Sequence, residues 1–199
     1  MIGIIDYGAG NLRSVKKALD YLKVESKIIQ TPADFDGMRK IILPGVGAFG
    51  ASLETLKAQA LYDPIAAWLA ADKPFLGICL GLQMLFEESA EAKGLKGFGV
   101  FKGKIPQFTQ GKVPQIGWNQ VQQVQASPLF KDIVDNAFFY FLHGYFVRAE
   151  DQGVVIGETE YGLTYTSAIA RGNLYAVQFH PEKSGKLGIQ LLHNWVTLC

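Results

Sequence analysis

The sequence predicts an α/β fold, a mostly parallel sheet flanked by helices and continued in the C-terminal half by antiparallel or mixed strands. Three observations predict it. Short apolar runs alternate with amphipathic runs through the first half, and two of those apolar runs, ending at Leu43 and Ile78, lead into glycine-framed turns. From Gly97 to Gln178, glycine, proline and aromatic residues punctuate short extended runs. Repeated βα units bury a parallel sheet under helices and place a site at the carboxyl ends of the strands.

The elements follow in order. Ile2 to Ile5 reads as a short buried strand. Asn11 to Leu22 reads as a helix with Leu12, Val15, Leu19 and Leu22 on one face. Ser26 to Ile29 and Lys40 to Leu43 read as strands, the latter running into Pro44-Gly45-Val46-Gly47. Ser52 to Leu69 reads as helix, interrupted at Asp63-Pro64. Pro74 to Ile78 is an apolar strand, and Leu80 to Glu88, with Leu82, Leu85 and Phe86, suits the inner face of a helix. Phe138 to Val147 and Leu163 to Ala170 read as extended, Leu174 to Phe179 as a strand with His180 at its end, and Lys186 to Leu198 as a closing helix.

Composition bounds the function. A chain of 199 residues with 49% hydrophobic content suits one domain with a large core. Nineteen basic against eighteen acidic residues give a net charge of +1, which offers no field for nucleic acid or a membrane surface. No apolar run reaches the roughly 18 residues a membrane helix needs, and Met1 leads directly into the apolar Ile2 to Ile5, without the charged region of a signal peptide. Two cysteines suit a reducing cytosol rather than a disulfide framework. Three scattered histidines and two distant cysteines form no ligand cluster, so no metal or other cofactor is expected.

The chemistry concentrates in two short segments. In Gly77-Ile78-Cys79-Leu80-Gly81, the cysteine falls at a strand-to-helix turn, with glycines leaving room for a sharp bend. That is a nucleophile elbow with cysteine in place of serine. A helix N-terminus favours the thiolate, and the Leu80 N–H would point where an oxyanion forms. The plain alternative is a buried core cysteine. Cys199, the last residue, has no such frame. In His180-Pro181-Glu182, the carboxylate lies close enough to hold the imidazole tautomer, as in a catalytic triad. A surface His and Glu at a strand end is the alternative. His143, inside an aromatic strand, and His193, on the polar side of the last helix, are the rival bases. Gly45 and Val46 sit at a strand end where a second oxyanion donor would be useful, or where an ordinary βα turn would serve. The first βα turn, Asp6 to Asn11, fits a dinucleotide fingerprint poorly, because Arg13 stands where a third glycine is needed.

These segments together resemble the class I, or triad, glutamine amidotransferases. Within that family they resemble the glutaminase subunits that serve imidazole glycerol phosphate synthesis. The resemblance runs along essentially the whole chain. Its markers are Asp6-Tyr7-Gly8 with Gly10 to Val15, Leu43 to Phe49, Leu76 to Gln83, Gly117-Trp118-Asn119 and Phe179 to Gly185. It implies a flavodoxin-like sheet and a role for Cys79 as nucleophile on a glutamine amide, with His180 as proton shuttle and Glu182 orienting it. It further implies Leu80, Gly45 and Val46 at the oxyanion, and Gln83, Glu91, Gly144 and Tyr145 around the substrate. It implies a heterodimer with a (β/α)8-barrel cyclase subunit, and Trp118 and Lys183, with Asn11 as a further candidate, match interface positions. The chain departs from the family pattern at Gln115, where a histidine is common before Gly-Trp-Asn, and at Gly144, where His-Ser-Tyr is common. The second change removes a hydroxyl contact to substrate.

A partner is also the economical inference from chemistry. The sequence shows no phosphate loop and no spare domain for an acceptor, and free ammonia in neutral water is mostly ammonium, which is not nucleophilic. Two other readings stay open at this level. One is a stand-alone cysteine hydrolase or the glutaminase subunit of a different amidotransferase. The other is a non-catalytic binding module, since fold does not determine function.

Overall fold

The first strand, β1 (Ile2–Ile5), is apolar and buried along its whole length. The computed structural model describes residues 1–8 and 11–199, so Ala9 and Gly10 of the first βα turn lie outside the described residues. The elements continue as α1 (Leu12–Tyr21), β2 (Ser26–Ile29), β3 (Lys40–Gly45), α2 (Phe49–Ala58), α3 (Tyr62–Ala70), β4 (Phe75–Cys79) and α4 (Leu80–Gln83). Then come β5 (Phe86–Ser89), β6 (Phe101–Ile105), β7 (Gln115–Gln123), β8 (Ala137–His143), β9 (Arg148–Ala149), β10 (Val155–Glu160), β11 (Thr164–Arg171), β12 (Leu174–Val177) and α5 (Gly185–Leu198).

Nine strands form one sheet in the order β2-β1-β3-β4-β12-β11-β10-β7-β8. From β2 to β12 neighbours run parallel; from β12 to β8 they run antiparallel. The parallel half has the doubly wound, flavodoxin-like order, and the expected antiparallel extension completes the sheet. Strand alternation sorts the core onto two faces. Ile2, Ile4, Ile42, Leu76 and Ile78 pack with Val15 and Leu19 of α1 and with Leu191, Leu192 and Trp195 of α5. Ile5, Ile41, Leu43 and Phe75 pack with Phe49, Leu53 and Leu56 of α2 and with Ile65 and Trp68 of α3.

Four expectations need correction. The break between α2 and α3 falls at Gln59–Leu61, not at Asp63-Pro64. Ala60 adopts a left-handed φ of 56°, and Leu61 N–H returns to Leu56 O at 2.8 Å, which closes α2 in a Schellman turn. Pro64 sits in the first turn of α3, where a missing N–H costs no intrahelical bond. The helix expected from Leu80 to Glu88 ends at Gln83, because Phe86 to Ser89 pairs in parallel with β6 in a separate sheet of β5, β6 and β9. Leu82, Leu85 and Phe86 are all buried, so their apolar spacing reports burial rather than one helix face. The run from Phe138 to Val147 divides: β8 stops at His143, and the chain then crosses to β9 in the small sheet. Finally, β12 ends at Val177, and His180 stands beyond it, tied by its N–H to Tyr140 O of β8 at 2.8 Å.

Candidate active site

Cys79 ends β4 with φ 55° and ψ −105°. A non-glycine residue held there stores roughly 1–3 kcal/mol of strain, which the surrounding packing must impose. The two framing glycines show how. A Cβ on Gly77 would lie 2.7 Å from Gly81 O, and one on Gly81 would lie 2.0 Å from Leu43 O. The elbow therefore presses directly on the backbone of β3. Across that contact Gly45 pairs in register with Cys79. Gly45 is itself confined, since a Cβ would come within 2.3 Å of the Tyr7 hydroxyl and 2.9 Å of Leu80 Cβ.

A cavity of about 60 Å³ opens beside Cys79. Val46, Leu80, Gln83, Glu91, Gly144 and Tyr145 line it, so residues drawn from three distant parts of the sequence meet beside the sulfur. Larger cavities of about 340, 440 and 530 Å³ contain neither Cys79 nor His180; chemistry rather than size marks the site. Two cavity residues also have structural duties. Glu91 Oε2 accepts the Phe49 N–H at 2.8 Å, at the start of α2. Gln83 donates its amide nitrogen to Tyr145 O at 3.0 Å and to Gln178 Oε1 at 3.2 Å.

His180 is 1% exposed. Its Nδ1 lies 2.7 Å from Glu182 Oε1, and the Glu182 side chain is wholly shut off from solvent although its backbone is not. The Pro181–Lys183 turn makes this possible, because it folds Glu182 back beneath the imidazole. Ser184 clamps the turn: its hydroxyl donates to His180 O at 2.7 Å and accepts the Tyr140 N–H at 2.9 Å. His180 Nε2 is buried with no hydrogen-bond partner among the described residues. Burial opposes the charged imidazole, but the negative charges of Cys79 and Glu182 outweigh it and raise its pKa to about 10.

The other two histidines are placed differently. His143 is buried, with Nδ1 2.7 Å from Tyr145 O and Nε2 3.3 Å from the Tyr165 hydroxyl. Burial first, and then the charge of His180, push its pKa down to about 4. It is a neutral, hydrogen-bonded histidine in the wall of the Cys79 cavity. His193 is exposed on α5.

Three site features were not assigned from the sequence. Asn11, considered there only as an interface candidate, donates its side-chain amide to Glu182 Oε1. Ser184 holds the turn after His180. Gln178 is fully buried and donates to the Cys79 sulfur; an amide inside an otherwise apolar run was the available signal. Trp118 and Lys183 are not in the cavity. Both flank Tyr140, the indole edge-on at 6.1 Å between ring centroids and the Lys183 ammonium 5.9 Å from the ring centre. Gln115 accepts the Tyr165 hydroxyl at 3.0 Å and pairs with His143 across the β7–β8 ladder. No group of three or more His, Cys, Asp or Glu is placed to hold a metal ion among the described residues. No helix among them is long and apolar enough to cross a membrane.

The sequence pattern of the family described as glutamine amidotransferase class-I matches residues 3–198. The chain belongs to this family. Among its relatives, the protein named imidazole glycerol phosphate synthase subunit HisH of Methanocaldococcus jannaschii is 48% identical over 200 residues, covering 100% of both chains. The HisH of Thermococcus kodakarensis is 48% identical with 98% of each chain covered, and that of Desulfitobacterium hafniense 44% identical with 98% of this chain and 93% of its own covered. Solved structures share the fold. A glutamine amidotransferase crystal structure superposes with a TM-score of 0.77 at 18% identity, covering 98% and 99% of the two chains, and a chain of PurLQS from Thermotoga maritima with 0.74 at 20% identity, covering 98% and 96%. The class-I glutamine amidotransferase fold thus accounts for the position of the elbow, at the carboxyl end of a central parallel strand.

Proposed function

We propose that this chain, acting as one glutaminase domain over residues 1–199, hydrolyses glutamine and passes the ammonia to a cyclase partner that forms imidazole glycerol phosphate and an aminoimidazole carboxamide nucleotide in histidine biosynthesis. The observation that carries the reading is the strained Cys79 turn facing a buried His180–Glu182 pair. The Cys79 sulfur adds to the side-chain amide carbon of glutamine. The oxyanion is received by the Leu80 N–H and by the peptide at Gly45–Val46, beside it in register. His180 gives a proton to the departing nitrogen, the C–N bond breaks and ammonia leaves a γ-glutamyl thioester. Water, losing a proton to His180, then breaks the C–S bond, releases glutamate and restores the thiolate. Gln83, Glu91, Gly144 and Tyr145 hold the amino-acid end. A cavity of about 60 Å³ is small beside the ~300–1,000 Å³ of ordinary ligand sites, so it widens to admit glutamine.

The partner is a (β/α)8-barrel cyclase subunit, and the complex is cytoplasmic. An apolar face supports the docking. Ile116, Trp118 and Phe138 are each more than half exposed, on the face of the β7–β8 ladder that also carries Tyr140 and Leu142. Leu142 O, a main-chain carbonyl of the same ladder, is 3.7 Å from the Cys79 sulfur, so the ladder borders the nucleophile. Solvent-exposed apolar residues grouped this way mark contact surfaces. Trp118 and Lys183 are its proposed contacts, with Asn11 nearer the triad.

Glutamate release from glutamine, measured for the chain alone and with the cyclase and its nucleotide ligand, tests the reading. Low activity alone, strong stimulation in the complex and none with Cys79→Ala are expected. Activity indifferent to the partner would point to a free-standing hydrolase, and no activity in any mixture would remove the enzymatic reading.

A further inference from the structure

Gln178 lies between the end of β12 and the triad histidine, and its side chain is shut off from solvent. Its backbone N–H donates to Ser167 O at 2.8 Å, which locks the main chain. Its Nε2 lies 3.5 Å from the Cys79 sulfur. An amide side chain can turn over and present oxygen instead of nitrogen, so what matters is what orients it. Tyr145 O can only accept, and it takes a hydrogen bond from Gln83 Nε2 at 3.0 Å. Gln83 must therefore present its nitrogen to Gln178 as well, at 3.2 Å, and Gln178 must answer with its oxygen. Its NH2 group then has one direction left, toward the sulfur.

Apart from the His180 imidazole, whose pKa the sulfur raises, the sulfur has Leu142 O at 3.7 Å, a partner suited to a thiol that donates its proton. A thiolate cannot donate and gains nothing from a carbonyl. It needs donors.

We propose that Gln178 is a further residue of the catalytic centre, donating an N–H···S hydrogen bond that favours the Cys79 thiolate, with Gln83 as the positioning residue that keeps the amide turned toward the sulfur. The inference rests on the reading of Cys79 as nucleophile. It gives Gln83 a second duty besides facing the substrate, and links the wall of the substrate cavity to the reactivity of the sulfur through two amides.

The test is the pH dependence of Cys79 alkylation by iodoacetamide, in a Cys199→Ser background so that one thiol reports. In Gln178→Met, of similar shape but without a donor, the rate profile should move to higher pH and the rate at pH 7 fall about tenfold or more, the size of a hydrogen bond to a charged group. Gln83→Leu should move the profile the same way by less. Gln178→Asn, whose shorter amide stops short of the sulfur, repeats the test if the methionine variant does not fold. The shift should persist in His180→Ala, which separates it from an effect through the imidazole. Superimposable profiles for the parent and either folded Gln178 variant overturn the inference. A parent thiol no more reactive than free cysteine would instead sink the nucleophile reading itself.

Discussion

Asn11 and His180 Nδ1 share one oxygen of Glu182: the Asn11 amide donates to Oε1, the atom that lies 2.7 Å from the imidazole. Oε2 of the same carboxylate is buried with no partner among the described residues. Asn11 also stands at the N-cap position of α1, where its main-chain carbonyl, not its side chain, accepts the Ser14 N–H at 3.0 Å, and it holds a left-handed φ of 82°. The start of α1 is thereby joined to the His180–Glu182 pair.

Deleting that amide should loosen the carboxylate. Asn11→Gly keeps the left-handed backbone at little cost and removes only the side chain. Its kcat for glutamine hydrolysis in the complex should fall roughly tenfold with KM little changed, as for the loss of one hydrogen bond to a charged group. Steady-state kinetics check it; an equal rise in KM with constant kcat would place Asn11 in substrate binding instead.

The protonation of His180 should depend on Cys79. In the parent protein the imidazole should stay protonated until about pH 10. In Cys79→Ala burial is no longer opposed by the sulfur, and the midpoint should drop substantially, as read by NMR titration of the ring. The sign for stability follows. The folded-state pKa lies above the ordinary 6.5, so the folded protein holds a proton the unfolded chain has lost. That contribution is full below about pH 6.5 and disappears as pH rises toward about 10. Urea unfolding across this window should show a steeper decline in the parent than in Cys79→Ala.

Position 144 should accept a serine. A Cβ there would meet only Val113 Cγ1 at 3.7 Å and Pro114 Cβ at 3.9 Å, ordinary contacts. Gly144→Ser should leave the melting temperature nearly unchanged and lower KM for glutamine several-fold, by returning a hydroxyl to the cavity wall. Gly81→Ala is the contrasting case. Its methyl group would meet the Leu43 carbonyl at 2.0 Å, and backbone cannot step aside as a side chain can. A loss of about 3 kcal/mol or more is expected in denaturant melts.

Trp118 is 56% exposed and edge-on to Tyr140. Exposed aromatic anchors of this kind carry a disproportionate share of binding energy. Trp118→Ala should weaken association with the cyclase by about 30-fold or more in a calorimetric titration; unchanged affinity would move the interface off this face.

The α/β class, and the placing of Cys79 and of the His180–Glu182 pair in turns at strand ends, were legible because each rests on local signals, apolar runs closed by glycine turns and a histidine stiffened by proline. The helix expected after Cys79 is shorter in the structure for a related reason. Leu82, Leu85 and Phe86 have a helical spacing, but their burial is demanded by a small sheet whose other strands lie far along the chain. Likewise Pro64 looked like a breaker, when the break is made by Ala60 returning the chain to Leu56.

By itself, the sequence determined which chemistry was at hand, since residue type and immediate neighbours decide whether a thiol, an imidazole and a carboxylate sit in turns able to present them. Only the tertiary structure decided how they are tuned. Gln178 reaches the sulfur from just past the end of β12, the strand beside β4, Asn11 reaches Glu182 from the far end of the chain, and His143 is silenced by burial under Phe108 and Tyr165. Each of these depends on distances across the sheet, which strand order and register set and which no local pattern encodes.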